Sequence, residues 1–312
     1  ERSVLRAALW AAPSVPRLFL VEGESGVGKS ALVAEVLREL EAERPGAWVG
    51  RSRCYENERL ALKAFDGAMA FFGRRLSLLS ESEQRELLPA QFSALAPLFP
   101  ALAAAPRYPP AAVELPADPT AQRRLALDVL ASLLERLSAL GPVVLAIDDL
   151  QWADVESLRL LESLARAAHG PWLVATVRPG AERAPEVQAV VDSLLQSGHA
   201  RVLSLDGLAG SEATSLARHL LGGQASESSV KTLVRESHGH PLWLQELSRF
   251  ALRREVGSIV GLTLDDALRG RLDALSTEQQ ALVELVAVAA QPYPTWVLAR
   301  ALGIEETALH ML

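Results

Sequence analysis

Apolar positions along the chain fall into two alternating kinds of run. Arg17–Val21 (RLFLV), Ala47–Cys54 and Arg201–Leu205 (RVLSL) are short and strand-like, while Pro142–Ile147 (PVVLAI) and Trp172–Val177 (WLVATV) are almost unbroken. Unbroken apolar runs of that length suit strands buried on both faces of a parallel sheet. Between them the period becomes helical. Leu32, Val33, Val36, Leu37 and Leu40 share one face of Ala31–Leu40, and Leu158, Leu161, Leu164, Ala165 and Ala168 share one face of Val155–Ala168. The stretch Gln122–Leu140 is amphipathic and is expected to pack on the sheet. Strands alternating with helices over about 200 residues predict an α/β fold with a mostly parallel sheet covered on both faces.

After about residue 207 the strand signals fade. Ser211–Leu221, Ser226–Ser237, Pro241–Arg254 and Leu262–Leu275 read as helices, with breaks at Gly222-Gly223 and at Gly239. From Ser276 two further helical patterns flank Gln291-Pro292-Tyr293-Pro294. Leu87–Ala121 is rich in Pro and Ala and is expected to be an irregular, loosely ordered insertion. A length of 312 residues suits about two modules.

Composition narrows the class. With 49% hydrophobic and 22% charged residues, a disordered, collagen-like or disulfide-stapled chain is excluded. The single cysteine, Cys54, cannot form an internal disulfide, and no Cys/His set has zinc-like spacing, which together suit a reducing, cytoplasmic setting. No apolar run reaches the roughly 18 residues of a membrane span. The start, Glu1-Arg2-Ser3-Val4, has neither an initiator Met nor a signal-peptide pattern and reads as a cut from a longer chain. A net charge of −7 offers no overall attraction to a phosphate backbone, so nucleic acid is not an expected partner. Of 31 basic residues only Lys29, Lys63 and Lys231 are lysines, which draws attention to each.

Lys29 lies in Gly23-Glu24-Ser25-Gly26-Val27-Gly28-Lys29-Ser30, the GxxxxGK[ST] phosphate loop, between an apolar strand and an amphipathic helix that opens at Ala31. Backbone N–H groups of such a loop converge on phosphate oxygens, glycine permits positive φ and close approach, Lys29 supplies a point charge, and Ser30 offers a hydroxyl to Mg²⁺. The run PVVLAI ends in Asp148-Asp149, where an open α/β sheet places its ligands. Asp148 is the expected Mg²⁺ partner, and Asp149 would orient or deprotonate an attacking water. Arg178 ends WLVATVR at the same edge and reads either as a group that meets developing charge or as a surface arginine; Thr176 is a weaker candidate on the same grounds.

These residues together resemble the STAND class of AAA-related P-loop ATPases, switch modules of multidomain regulators. GESGVGKS, AIDDLQWAD (Ala146–Asp154), ATVR (Ala175–Arg178) and SHGHPLWL (Ser237–Leu244) follow one another as in that class, and RCYENERLALKAFDG (Arg53–Gly67) is similar to a segment of bacterial ATPase modules linked to kinases or transcription factors. The resemblance implies a sheet with the Arg178 strand between the phosphate-loop and acidic strands. It implies a P-loop core over 1–209, a helical lid over 210–262 and the start of a winged-helix unit over 263–312. It also implies Pro241, in Gly239-His240-Pro241, against adenine, although a helix N1 proline fits equally. The implied cofactors are ATP or ADP with Mg²⁺. The implied partners are sensor or effector domains of the same polypeptide and a nucleotide-dependent oligomer. Asp149 stands where fast ATPases of this kind carry Glu, so hydrolysis is expected to be slow. The leading expectation is a slow ATP-driven signalling switch; its alternatives are a non-hydrolysing nucleotide-gated scaffold and an origin-recognition-like DNA-binding ATPase.

Overall fold

Strand burial follows from strand position. The computed structural model describes residues 1–11, 16–56, 60–167, 170–222, 226–253, 263–289 and 293–309. Five strands, β1 (Leu18–Glu22), β2 (Trp48–Arg53), β3 (Val143–Asp148), β4 (Trp172–Val177) and β5 (Ala200–Ser204), form one sheet in the order β2-β3-β4-β1-β5, with every pairing parallel. The inner strands β3, β4 and β1 are buried along almost their whole length, as their unbroken apolar runs require. The edge strands are polar in part: β2 exposes Arg51 and Arg53, and β5 exposes Arg201 and Ser204. The Arg178 strand lies between the phosphate-loop and acidic strands, as the resemblance implied.

Helices divide between the two faces of the sheet. The helices of this part are α1 (Arg2–Trp10), α2 (Lys29–Glu43), α3 (Lys63–Leu76), α4 (Glu81–Leu87), α5 (Pro100–Ala103), α6 (Pro119–Leu140), α7 (Val155–Arg166) and α8 (Pro185–Gln196). Alternate strand residues divide between two cores. Phe19, Val21, Val144, Ala146 and Val174 pack with Leu5 and Leu9 of α1 and Val33, Val36, Leu37 and Leu40 of α2. Leu18, Leu20, Leu145, Ile147, Leu173 and Ala175 face the other way, into the larger core with α3, α6, α7 and α8. The crossover from β1 leads toward β2 and the crossover from β4 leads the opposite way, to β5, so the topology switches between these parallel neighbours and the crevice for a ligand opens at their carboxyl ends.

One expectation is corrected here. Within the supposed irregular stretch 87–121, a 3-10 turn at Phe92–Leu95 and α5 bury Phe92, Leu95, Phe99 and Leu102 in the larger core. α3 meets this segment closely: a Cβ on Gly73 would come within 2.8 Å of the Ala101 carbonyl oxygen. Outside helix and strand here are 88–91, 96–99 and the longer run 104–118. α6 begins three residues before the helix expected at Gln122, because Asp118 caps it by accepting from the Thr120 and Ala121 amides, with Pro119 at the first helical position.

The chain divides into two compact units, Glu1–Asp206 and Gly207–Leu312. The second holds α9 (Gly210–Leu221), α10 (Glu227–Ser237), α11 (Pro241–Arg253), α12 (Leu264–Asp273), α13 (Thr277–Ala289), α14 (Thr295–Leu302) and α15 (Glu306–Leu309), with no strand among its described residues. Its core joins Ala213, Ala217, Val230, Leu233, Leu244, Leu247 and Ala267. Of the sequence readings, Ala168, Gly223, Arg254, Leu262, Gln291 and Pro292 lie outside the described residues. Among the described residues no helix is long and apolar enough to cross a membrane.

The contact of α3 with edge strand β2 depends on Gly50, where a Cβ would stand 2.6 Å from the Ala68 Cβ. Gly50→Ala is expected to lower stability by about 1–3 kcal/mol through overpacking. The check is a urea melt beside Gly46→Ala, which meets nothing within 4 Å and should shift by about 0.5 kcal/mol or less.

Candidate functional site

β1 runs straight into the phosphate loop, and the loop's shape follows from its glycines. A Cβ on Gly23 would lie 2.4 Å from the Leu205 carbonyl oxygen, so the chain passes β5 only as glycine. Gly26 and Gly28 have φ of 81° and 105°, the left-handed region that glycine adopts without strain. Gly28 is the N-cap of α2 and supplies no side-chain acceptor. The first amides of α2 therefore have no side-chain cap, and they face out at the positive end of the helix dipole, an arrangement that receives anions.

Lys29 is buried and folds back across the loop, its Nζ donating to the Gly23 and Glu24 carbonyl oxygens at 2.8 Å each. Burial pushes its ammonium below the usual lysine range and the Arg178 charge adds to this, while Asp149, Asp148 and Glu182 pull it upward. A lysine held low in the folded chain costs stability at neutral pH, and that cost fades as pH rises from the folded value through the ordinary lysine range. A bound anion would offset the same cost. Of the other loop residues, Glu24, Ser25, Ser30 and Ala31 are exposed and Val27 is buried.

The acids are held by a hydroxyl pair and a guanidinium. Asp148 Oδ1 accepts from Ser30 Oγ and from Thr176 Oγ1, each at 2.6 Å. Asp149 takes a left-handed φ of 59°, and its amide donates to Thr176 Oγ1 at 2.9 Å. The Asp149 carboxylate accepts from Arg53 Nε and Nη2 at 3.1 and 2.9 Å and from Gln151 Nε2 at 3.0 Å. The Gln151 side chain, buried, in turn accepts from the Arg178 amide at 3.3 Å. Arg178 lies 5.6 Å from the Trp152 ring centroid and pairs with Glu182 at 3.4 Å.

The phosphate loop, Ser30, Asp148, Asp149, Thr176 and Arg178 thus belong to one strand-end cluster. Pro241 is in the second unit, where it opens α11 after the left-handed His238 and Gly239. Ser30 and Asp148 offer two hard oxygen donors on one spot, which fits Mg²⁺ because that ion takes one or two protein ligands plus phosphate and water. Among the described residues no group of three or more His, Cys, Asp or Glu side chains could hold a metal by itself.

Four contacts escaped the sequence. Arg53, the last residue of β2, grips Asp149, and in an arginine-rich chain its type gave no signal. Gln151 was passed over beside its acidic neighbours. Arg183, nearly all buried, donates from Nε to the Arg178 carbonyl at 2.7 Å and pairs with Glu22, tying the ends of β4 and β1 together. Asp154 proves to be the N-cap of α7, accepting from the Glu156 and Ser157 amides and also from the Leu62 amide at 3.2 Å.

Residues 1–175, more than half of the chain, match a family model described as the AAA ATPase domain. No curated protein matches significantly. Among solved structures, the Walker-type ATPase PABY2304 of Pyrococcus abyssi is 16% identical with a TM-score of 0.54, over 93% of this chain and 74% of that one. The Aeropyrum pernix ORC1 protein in complex with DNA is 13% identical with a TM-score of 0.47, over 99% and 79%. The Thermotoga maritima RuvB Holliday junction branch migration motor is 14% identical with a TM-score of 0.42, over 99% and 82%. At such identities the first of these is a likeness of fold alone.

The Thr176 hydroxyl bridges Asp148 and the Asp149 amide at a position only 2% exposed. Thr176→Val, which keeps the shape and removes the hydroxyl, is expected to cost about 1–3 kcal/mol by leaving buried polar groups unmatched. Thr176→Ser should recover most of the hydrogen-bonding part, and thermal or urea melts of both variants check this.

Proposed function

Because this chain belongs to the AAA ATPase family, we propose that it binds ATP with Mg²⁺ and hydrolyses it slowly, as the switch module of a larger signalling or regulatory protein. The observation that carries this reading is the convergence of Ser30, Asp148, Asp149 and Thr176 beside a helix N-terminus without a side-chain cap and a buried lysine. The triphosphate would lie along the loop amides from Gly23 to Ala31, with Lys29 releasing the carbonyls of Gly23 and Glu24 to meet it. Ser30 and Asp148 would hold Mg²⁺, which when bound neutralises charge on the phosphates.

Asp149 is the group assigned to the attacking water, and Arg178 the group that meets charge on the transferred phosphoryl. Two facts support slowness. Asp reaches less far than Glu by one methylene, and the Asp149 carboxylate is already engaged by Arg53 and Gln151. The same engagement favours the second reading, a nucleotide-gated scaffold in which Asp149 does no chemistry.

The motif resemblance supports the wider assignment: core 1–209, lid 210–262 with Pro241 toward adenine, and the start of a winged-helix unit in 263–312. A cytoplasmic setting, coupling to other domains of the polypeptide and nucleotide-dependent assembly belong to the same proposal. The acidic balance of the chain weighs against nucleic acid as its partner.

The test is ATP binding together with single-turnover hydrolysis of γ-labelled ATP. Asp149→Asn should retain binding and lose about 10²–10⁴-fold in rate, the usual worth of a general base. Lys29→Ala should weaken binding by about 10–100-fold through loss of charged hydrogen bonds. Hydrolysis by Asp149→Asn at the wild-type rate would remove the assignment, and wild-type binding without turnover would favour the scaffold.

A further inference from the structure

Next to the phosphate loop, on the side of β2, the first unit holds a cavity of about 520 Å³. This is within the roughly 300–1,000 Å³ that small-molecule sites occupy. It arises from the topology. Only α1 and α2 contribute to the core on this face of the sheet, whereas α3, α6, α7 and α8 fill the other. Edge strand β2 accordingly presents the exposed Arg51 and Arg53 here in place of core side chains.

The cavity's apolar lining includes Val33, Ala34 and Leu37 of α2 and Ala146 of β3, and it adjoins the strand-end cluster directly, since Ser30, Asp148 and Thr176 form its inner wall. Its cations are already matched in ways that differ in consequence. Arg51 is held by Glu41 of α2 at 2.6 and 3.0 Å, and Lys63 by Asp66 at 3.1 Å. Arg53 is matched within the strand-end cluster, by Asp149 at 2.9 Å and more distantly by Asp148 at 3.8 Å, and it lies 5.6 Å from the centroid of the Tyr55 ring, which also lines the cavity. A guanidinium exchanges one carboxylate for another oxyanion of similar geometry with little loss. A ligand without an anion would leave this end of the cavity unserved.

We propose that the cavity is a second ligand site, contiguous with the nucleotide site along Ser30 and Asp148, for a small amphipathic anion whose apolar body packs on Val33, Ala34 and Leu37 and whose anionic group takes Arg53 from Asp149. Occupation then releases the Asp149 carboxylate and raises the rate of hydrolysis. This consequence rests on the reading of Asp149 given above; the binding itself does not.

The probe is 1-naphthalenesulfonate, titrated calorimetrically into the nucleotide-free 312-residue chain. Saturable one-site binding is expected, weakened about tenfold or more by Arg53→Met, which removes a charged hydrogen-bond donor. Ala34→Phe, at an exposed helix position that lines the cavity, should block the site with little change in melting temperature or basal hydrolysis. Uncharged 1-naphthol should bind about tenfold more weakly than the sulfonate. Asp149→Asn should tighten probe binding several-fold, because it removes the anion that competes for Arg53. No saturable binding, or binding indifferent to Ala34→Phe and Arg53→Met, would overturn the site. In single-turnover hydrolysis the probe should accelerate the wild type and leave Ala34→Phe unchanged. Binding without acceleration, in a protein whose hydrolysis Asp149→Asn abolishes, would overturn the coupling. Unaltered hydrolysis in Asp149→Asn would instead count against the ATPase assignment, with the binding pattern still deciding the site.

Discussion

Two strand spacings, roughly 10 Å, separate the phosphate-loop strand from the acidic strand, because β4 lies between them. Everything at the carboxyl edge of the sheet answers that constraint. Thr176, the penultimate residue of β4, fills the gap with a hydroxyl that donates to Asp148 and accepts from the Asp149 amide. Ser30 reaches the same Asp148 oxygen from the first turn of α2. The acidic carboxylate and the helix N-terminus are thereby brought together across an intervening strand. Arg183 makes the corresponding tie on the other side of β4, from the Arg178 carbonyl to Glu22 of β1.

The cost of this edge is buried charge. Lys29 and Arg183 are both pushed below their usual ranges, chiefly by burial. Each is kept by hydrogen bonds to carbonyl oxygens rather than by burial of apolar contacts, and Arg183 also by Glu22. Such groups are retained where a strong field is needed at a fixed place. At the phosphate loop the field converges on the spot where α2 begins without a side-chain cap. The residues matched by the family model, 1–175, include this place.

The sheet and the loop were legible because their physics is local in sequence. Strands buried on both faces must be apolar throughout, and a loop with φ near 81° and 105° must carry glycine at Gly26 and Gly28. The 92–103 segment was not legible, since Ala, Leu and Pro without a clear period look alike whether packed or loose. Tertiary contacts distinguish them: the burial of Phe92, Leu95, Phe99 and Leu102 in the larger core and the close approach to α3 at Gly73. Arg53 was hidden for a similar reason: its meaning comes from Asp149, 96 positions away. Asp154, prominent in the sequence but without a role there, is explained by the two helix starts it holds, at α7 and near Leu62 before α3.

The proposal stands or falls on Ser30 and Asp148, directly hydrogen-bonded and braced by Thr176, as the cation side of a nucleotide site. The most direct measurement is the affinity for ATP with and without Mg²⁺, in the wild type and in Ser30→Ala. The account predicts that Mg²⁺ strengthens binding in the wild type and that most of this gain disappears in Ser30→Ala. An equal gain in both proteins, or no gain in either, would contradict it.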